Sequence, residues 1–402
     1  MASIKSTRSL ILDIPPSCIE FVPGHPELFV VGTYYLEKKD QINEESTATS
    51  HGQPQQRTGS LLLFKLDGDE VTLQHELPTP FAIFDIHFAP ASHNAPLLLG
   101  AATSTGSLAL YRVSPTETSL LNVLQLFPTT SLITYFTWHP LISGIAGLAV
   151  SDGNIYLCDT QTLTTSTTEP TDPGDSTSTL TLLHSHSLEA WFIAFTPTGT
   201  SLLTGGDDSL LACITLPTIT PATGPALLAA ASESPPPIQW QDRKTHFAGV
   251  TAILPLTSPA DEDEGDERRP LLLLTGSYDD HIRLFSLPSS TSFSRRPTLL
   301  AELNLGGGVW RLKDITKATT TPRARRTEFT ILASCMHAGA RILRLEGAGD
   351  AREGELAWEF EVLAKFEEHQ SMNYGSDVQQ GSNGRKVVST SFYDRLLAVW
   401  KW

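Results

Sequence analysis

Leu274-Thr275-Gly276-Ser277-Tyr278-Asp279-Asp280-His281-Ile282-Arg283-Leu284-Phe285-Ser286-Leu287 decides the fold. An apolar run from Leu271 enters, Tyr278 to His281 form a tight polar turn, and the alternating Ile282 and Leu284 lead out, which is the pattern of a β-hairpin. The same order of apolar strand, small residues, Asp and second strand returns at 147–159 (Asp152), 202–216 (Asp208) and 387–402 (Asp394). Weaker copies lie at 97–113, turning at Thr105-Gly106, and at 331–345, turning at His337-Ala338-Gly339. The chain is therefore counted in repeats.

Working outward gives seven units of roughly 40 to 50 residues, the spacing of four-stranded WD-repeat blades. The expected fold is all-β, a seven-bladed WD-repeat β-propeller occupying 1–402 as a single domain. The seventh unit has only three strands before the chain ends, so the strand Ser9 to Ile14 is expected to pair into it and close the ring, hiding two sheet edges. Low-complexity loop inserts are expected near 37–58, 160–179, 217–237, 257–270 and 315–327.

Composition narrows the function. Charged residues are 18% of the chain and the formal net charge is -16, which disfavours general affinity for nucleic acid or acidic membrane. Cys18, Cys158, Cys213 and Cys335 are widely spaced and read as reduced, buried thiols, with no C-x-x-C pair. No run of ~18 apolar residues spans a bilayer and the first residues lack a signal-peptide core, so a cytoplasmic setting is expected. No nucleophile elbow, His-Glu-x-x-His or Walker sequence is present, and neither a metal set nor a cofactor is implied.

In a WD blade a His before the first strand, a Ser or Thr on the second, an Asp in the turn and an aromatic on the third share hydrogen bonds. His246, Thr275, Asp279 and Phe285 fill those places, and Asp152, Asp208, Asp279 and Asp394 are read as structural acceptors of their turns. The residue before each turn Asp is Asp207, Tyr278 or Tyr393, and in unit six it is His337, where Ala338 replaces the acid. A titratable imidazole that the blade does not need is a functional candidate. Phe84, Tyr135, Trp191, Val250, Trp310 and Tyr374 open the first strands and are expected at the mouth of the channel, where aromatics suit a protein or peptide ligand. Arg311 beside Trp310 suits a carboxylate or phosphate, or a salt bridge to a nearby acid.

Several segments together resemble the diphthine methylesterase family: 276–284, Gly306-Gly-Gly-Val-Trp-Arg-Leu312, Ala333-Ser-Cys-Met-His-Ala-Gly339, Glu368-His-Gln-Ser-Met-Asn-Tyr-Gly-Ser-Asp377 and Ser391-Phe-Tyr-Asp394. Trp191-Phe192 and Gly205-Gly-Asp-Asp208 are further matches, while Val378 departs from the Trp usual in that family after Gly-Ser-Asp. The resemblance implies an esterase of diphthamide biosynthesis, hydrolysing the methyl ester of methylated diphthine on translation elongation factor two. A non-catalytic WD-repeat scaffold or adaptor for protein partners is the alternative. No catalytic set comes with the resemblance, so roles follow from chemistry: His337 as general base on water or on Ser371, Asp377 orienting it, and Asn373, Tyr374 or the amides of Gly306 to Gly308 as oxyanion donors. The trimethylammonium that the resemblance implies invites cation-π contact from Trp191, Trp310, Tyr374 and Tyr393; Tyr278 and Arg311 complete the expected binding set.

Overall fold

The computed structural model describes residues 3–37, 56–90, 96–161, 179–220, 222–256, 271–287, 296–316, 328–348, 357–381 and 385–402. They form seven antiparallel sheets, each built on four strands, and one helix. The fifth sheet shows why the opening stretch was decisive. Val250–Leu256, Leu271–Ser277, His281–Leu287 and Thr298–Asn304 pair in chain order, with Thr275 opposite Arg283 across the expected hairpin. Asp280 takes φ 67° in the turn, and Asp279 accepts from the amides of Phe247 (2.9 Å) and His281 (3.1 Å). His246 Nε2 shares a hydrogen bond with Thr275 Oγ1 at 2.8 Å.

The same network recurs. In blade seven His369 Nε2 meets Ser389 Oγ at 2.8 Å, and Trp400 Nε1 donates to the same oxygen at 2.9 Å. Blade four uses His186, bonded to Thr204 and Asp208 at 2.9 Å each.

The first strand of every blade touches the first strand of the next, and the seventh touches the first, so the sheets close into a ring. Ser6–Ile11 pairs antiparallel with Leu396–Lys401 as the outer strand of blade seven. The closure is as expected, but the strand lies three residues earlier because Pro15 and Pro16 turn the chain after Leu12, whose amide donates to Arg395 O at 2.9 Å. Ser3–Ile4 continues in parallel beside Lys365 and Phe366, so one N-terminal segment covers the edges of two blades.

The segment 217–237, expected as a loop, contains the helix Gly224–Glu233. Ala and Leu carry high helix propensity, Pro near the first turn is compatible with a start, and Pro235 to Pro237 stop it. Leu227, Leu228 and Ala231 are buried against blade three, on the strands Asn154–Asp159 and Leu180–Ser185. The inserts near 37–58, 160–179, 257–270 and 315–327 fall wholly or mainly outside the described residues. Among the described residues no helix is long and apolar enough to cross a membrane. All four cysteines are free and buried, and burial raises each thiol pKa, to about 12 for Cys335.

A repeated bulge positions the mouth. In blades one to five the pairing of first and second strands skips one residue at the same place: Ser17, Phe84, Thr134, Trp191 and Thr251. A bulge re-aims the side chain it carries. Ser17, Thr134 and Thr251 donate to the backbone oxygens of Ile83 (2.7 Å), Ala190 (2.5 Å) and Val309 (2.6 Å), each in the next blade. Phe84 and Trp191 occupy the alternate bulges, and Trp310 and Tyr374 stand at the corresponding places just before Arg311–Asp314 and Gly375–Val378. Hydroxyls thus stitch the ring between blades that carry aromatics.

Candidate active site

Four of the six side chains expected at the mouth are there. The other two are corrected by one residue of register: Tyr135 lies one place beyond the bulge and Val250 one place before it, so the residues equivalent to Trp191 are Thr134 and Thr251. Val250 is fully buried in the core and Tyr135 stacks on Phe192 with ring centres 3.8 Å apart.

The aromatic residues form a continuous arc. Trp191 meets Trp310 (5.7 Å) and Tyr278 (6.1 Å), Tyr278 meets Trp310 (6.0 Å), and Trp310 meets Tyr374 (5.1 Å). Tyr374 continues through Phe392 (5.6 Å) to Tyr393 (5.0 Å) and, by Tyr34 (6.1 Å), to Phe84 (6.1 Å). The point equidistant from Trp191, Tyr278 and Trp310 lies about 3.5 Å from each ring centre, the contact distance of one layer of carbon. Those rings therefore pack as a solid platform, not as a hollow cage for a trimethylammonium group, and Trp310 keeps only 6% of its surface exposed.

Arg311 is already occupied. Its Nη2 donates to Asp85 Oδ2 at 2.5 Å, from blade six to blade two, and Nη1 donates to Trp310 O at 2.9 Å. Its guanidinium carbon lies 4.8 Å from the ring centres of Tyr135 and Trp310 and 5.5 Å from Phe192. The salt bridge, not ligand binding, accounts for this residue. One layer further along the first strands, Lys313 pairs with Asp377, and His87 lies 3.5 Å from Glu20. Burial opposes a charge on His87, but Asp85 and Glu20 together outweigh it and raise its pKa.

Two expected catalytic roles fail on the same geometry. Asp377 is 1% exposed, and its carboxylate is taken by Lys313 and by the amides of Phe21 (2.8 Å) and Val378 (2.7 Å), so it does not orient His337. Asn373 is fully buried, and its amide donates to Gly375 O (3.0 Å) and Thr390 O (2.8 Å), leaving no donor for an oxyanion. Gly307 is required by close packing, since a Cβ there would lie 2.4 Å from Cys335 O; at Gly308 a Cβ would lie 2.8 Å from Met336 Sδ, a side chain that can shift.

The remaining candidates come together at blades six and seven. Met336 takes φ 44°, and its carbonyl accepts the amide of Asn373 at 3.0 Å, which sets the His337 turn beside 371–374. The Phe392 amide donates to Met372 O (3.0 Å) and the Tyr393 amide to Ser371 Oγ (3.0 Å). Three loops are thus tied at one rim. His337 is exposed there, with no hydrogen bond or ion pair to any described residue, and Tyr393 is 72% exposed. Ser371 is half-buried, its oxygen accepting from Tyr393. Burial raises the pKa of Tyr374, with Tyr393 adding to it, and burial raises that of Tyr278, so both are neutral phenols that can donate. Sequence reasoning missed Phe392 and Tyr34, the links of the arc; both sit at the repeat position of Tyr278, their amides donating to Met372 O and Pro15 O as that of Tyr278 donates to Gly249 O.

Fold and rim define a WD-repeat propeller with an imidazole, unpaired among the described residues, at an aromatic mouth. The chain is a homologue, over nearly its whole length, of curated proteins named diphthine methyltransferase. It is 25% identical to that of Schizosaccharomyces pombe (97% of this chain, 95% of the relative), 26% to that of Saccharomyces cerevisiae (96% and 95%) and 26% to that of Mus musculus (98% and 73%). No family model matches. Among solved structures, a chain of a mitotic checkpoint complex superposes with a TM-score of 0.60 at 12% identity, covering 100% of this chain and 92% of that one, which shows the fold alone.

Proposed function

We propose that this propeller hydrolyses the methyl ester of methylated diphthine on translation elongation factor two, in the cytoplasm, yielding diphthine for later amidation. The relatives' name supports methyl chemistry on diphthine. The observation that carries the reading is His337: exposed, unpaired among the described residues, and set in a turn whose structural acid is replaced by Ala338.

In this reading His337 takes a proton from water, whose oxygen attacks the ester carbon. Tyr374 or Ser371 donates a hydrogen bond to the tetrahedral oxyanion. The bond from that carbon to the methoxy oxygen then breaks, the proton returns from His337 to the leaving group, and methanol departs. Water is the better nucleophile here than Ser371, whose oxygen already accepts the Tyr393 amide. Trp191, Tyr278, Tyr374 and Tyr393 present their outer surfaces to the substrate and its cationic group.

The test is mass spectrometry of methylated factor incubated with the purified protein, without ATP or a methyl donor. Loss of one methyl group supports hydrolysis. A methyl gain that needs a donor would support the transfer in the relatives' name, and an unchanged factor that still co-elutes with the propeller would support the scaffold reading.

A further inference from the structure

Arg311 touches an unusual number of blades. It belongs to blade six, pairs with Asp85 of blade two, lies against Tyr135 of blade three and Phe192 of blade four, and supports Trp310 from below. Asp85 is 4% exposed, and no rearrangement short of breaking this pair frees the guanidinium. Trp310, in turn, is the ring that Trp191, Tyr278 and Tyr374 all meet. Desolvation offsets much of the attraction in a buried charge pair, so its net stabilisation is small, and in some proteins such a pair instead fixes one arrangement of its surroundings.

We infer that Asp85 and Arg311 are the positioning pair of the mouth: Asp85 holds the guanidinium under Trp310, and Trp310 sets the rings that the substrate meets. The pair acts through Trp310 and does not itself touch ligand. The inference rests on the proposed reading only in taking the mouth as the substrate's docking place. It has a consequence that packing alone does not: loss of either charge shifts Trp310 and weakens binding in molecules that are still folded.

The experiment uses the full chain labelled with fluorotryptophan, in which each of the seven tryptophans gives its own fluorine resonance. Trp310→Phe assigns the signal of interest. In Arg311→Gln and in Asp85→Asn the Trp310 resonance is expected to move or broaden, and that of Trp191 with it, while Trp400 and Trp402 stay in place. Arg311→Lys keeps the charge without the planar stack and should fall between, which guards against a variant that does not fold. Affinity for the methylated factor is expected to fall about tenfold in either single variant, and the double variant should be no weaker than Arg311→Gln. An unmoved Trp310 signal, unchanged affinity in folded variants, or losses that add in the double variant would each overturn the inference. Should the wild-type protein prove inactive on the ester, the fluorine spectra still decide it.

Discussion

Single residues show where register, not composition, decides function. Trp191 and Tyr135 both open a first strand, yet one sits at a bulge and faces the rim while the other lies one step on and supports Arg311. A bulge leaves no mark in an apolar pattern, so the sequence placed the rim in four blades and missed it by one residue in two. Asp377 and Asn373 were misread for a related reason: buried polar side chains must be bonded, and their partners, Lys313, Phe21, Gly375 and Thr390, are far away in sequence or carry only backbone groups. Replacing Asn373 by Ala removes the side-chain amide donor to the Thr390 carbonyl and one of two side-chain donors to that of Gly375, which Thr390 Oγ1 still reaches at 3.3 Å, and should cost about 1 to 3 kcal/mol in urea unfolding. Tyr393→Phe, at an exposed position, should leave the urea midpoint unchanged. Equal stability of the two variants would contradict these placements.

At the level of the blade, the His-Ser/Thr-Asp pattern was legible because it repeats. In blade seven the fully buried Trp400 stacks on Phe366 at 5.1 Å, within 2° of parallel, and Trp400→Ala should destabilise by about 3 to 5 kcal/mol in thermal or urea melts. Trp400→Phe keeps most of that volume and loses the indole donor to Ser389, so it should cost less. The blade histidines also set a pH dependence. Burial depresses His246 and His369 to about 4, so between pH 6.5 and 4 the unfolded chain binds protons that the folded chain refuses. Stability is full above 6.5 and falls by about 1.4 kcal/mol per pH unit per histidine as the pH drops through that window. His87 works in the opposite sense, its raised pKa giving stability below 6.5 that is lost as pH rises through the folded value. Urea midpoints at pH 7 and pH 5 should therefore drop with acid; equal midpoints would contradict the buried neutral assignment. The helix Gly224–Glu233 was hidden because an Ala-rich run between prolines has the composition of a linker, and only the burial of Leu227 and Leu228 separates the two.

Across the whole molecule, closure was the best-read feature, since a blade one strand short demands a donor. Removing residues 1–12 uncovers the edges of Leu396–Lys401 and Ala357–Phe366 together. The truncated chain should melt lower and self-associate on a sizing column; an unchanged melt would contradict the double closure. Function was less legible than fold because the propeller frame serves both enzymes and scaffolds. It is the tie from Met336 to Asn373 that brings the His337 turn beside the segment 371–374, and no spacing rule encodes it. The most direct measurement is the rate of methyl loss from methylated elongation factor two with wild-type protein and with His337→Ala, at matched folded concentration. The expected result is methyl loss by the wild type, slowed about 10² to 10⁴-fold in the variant while its melting curve is unchanged. Equal rates in the two proteins would contradict His337 as the base, and no loss in either would contradict hydrolysis itself.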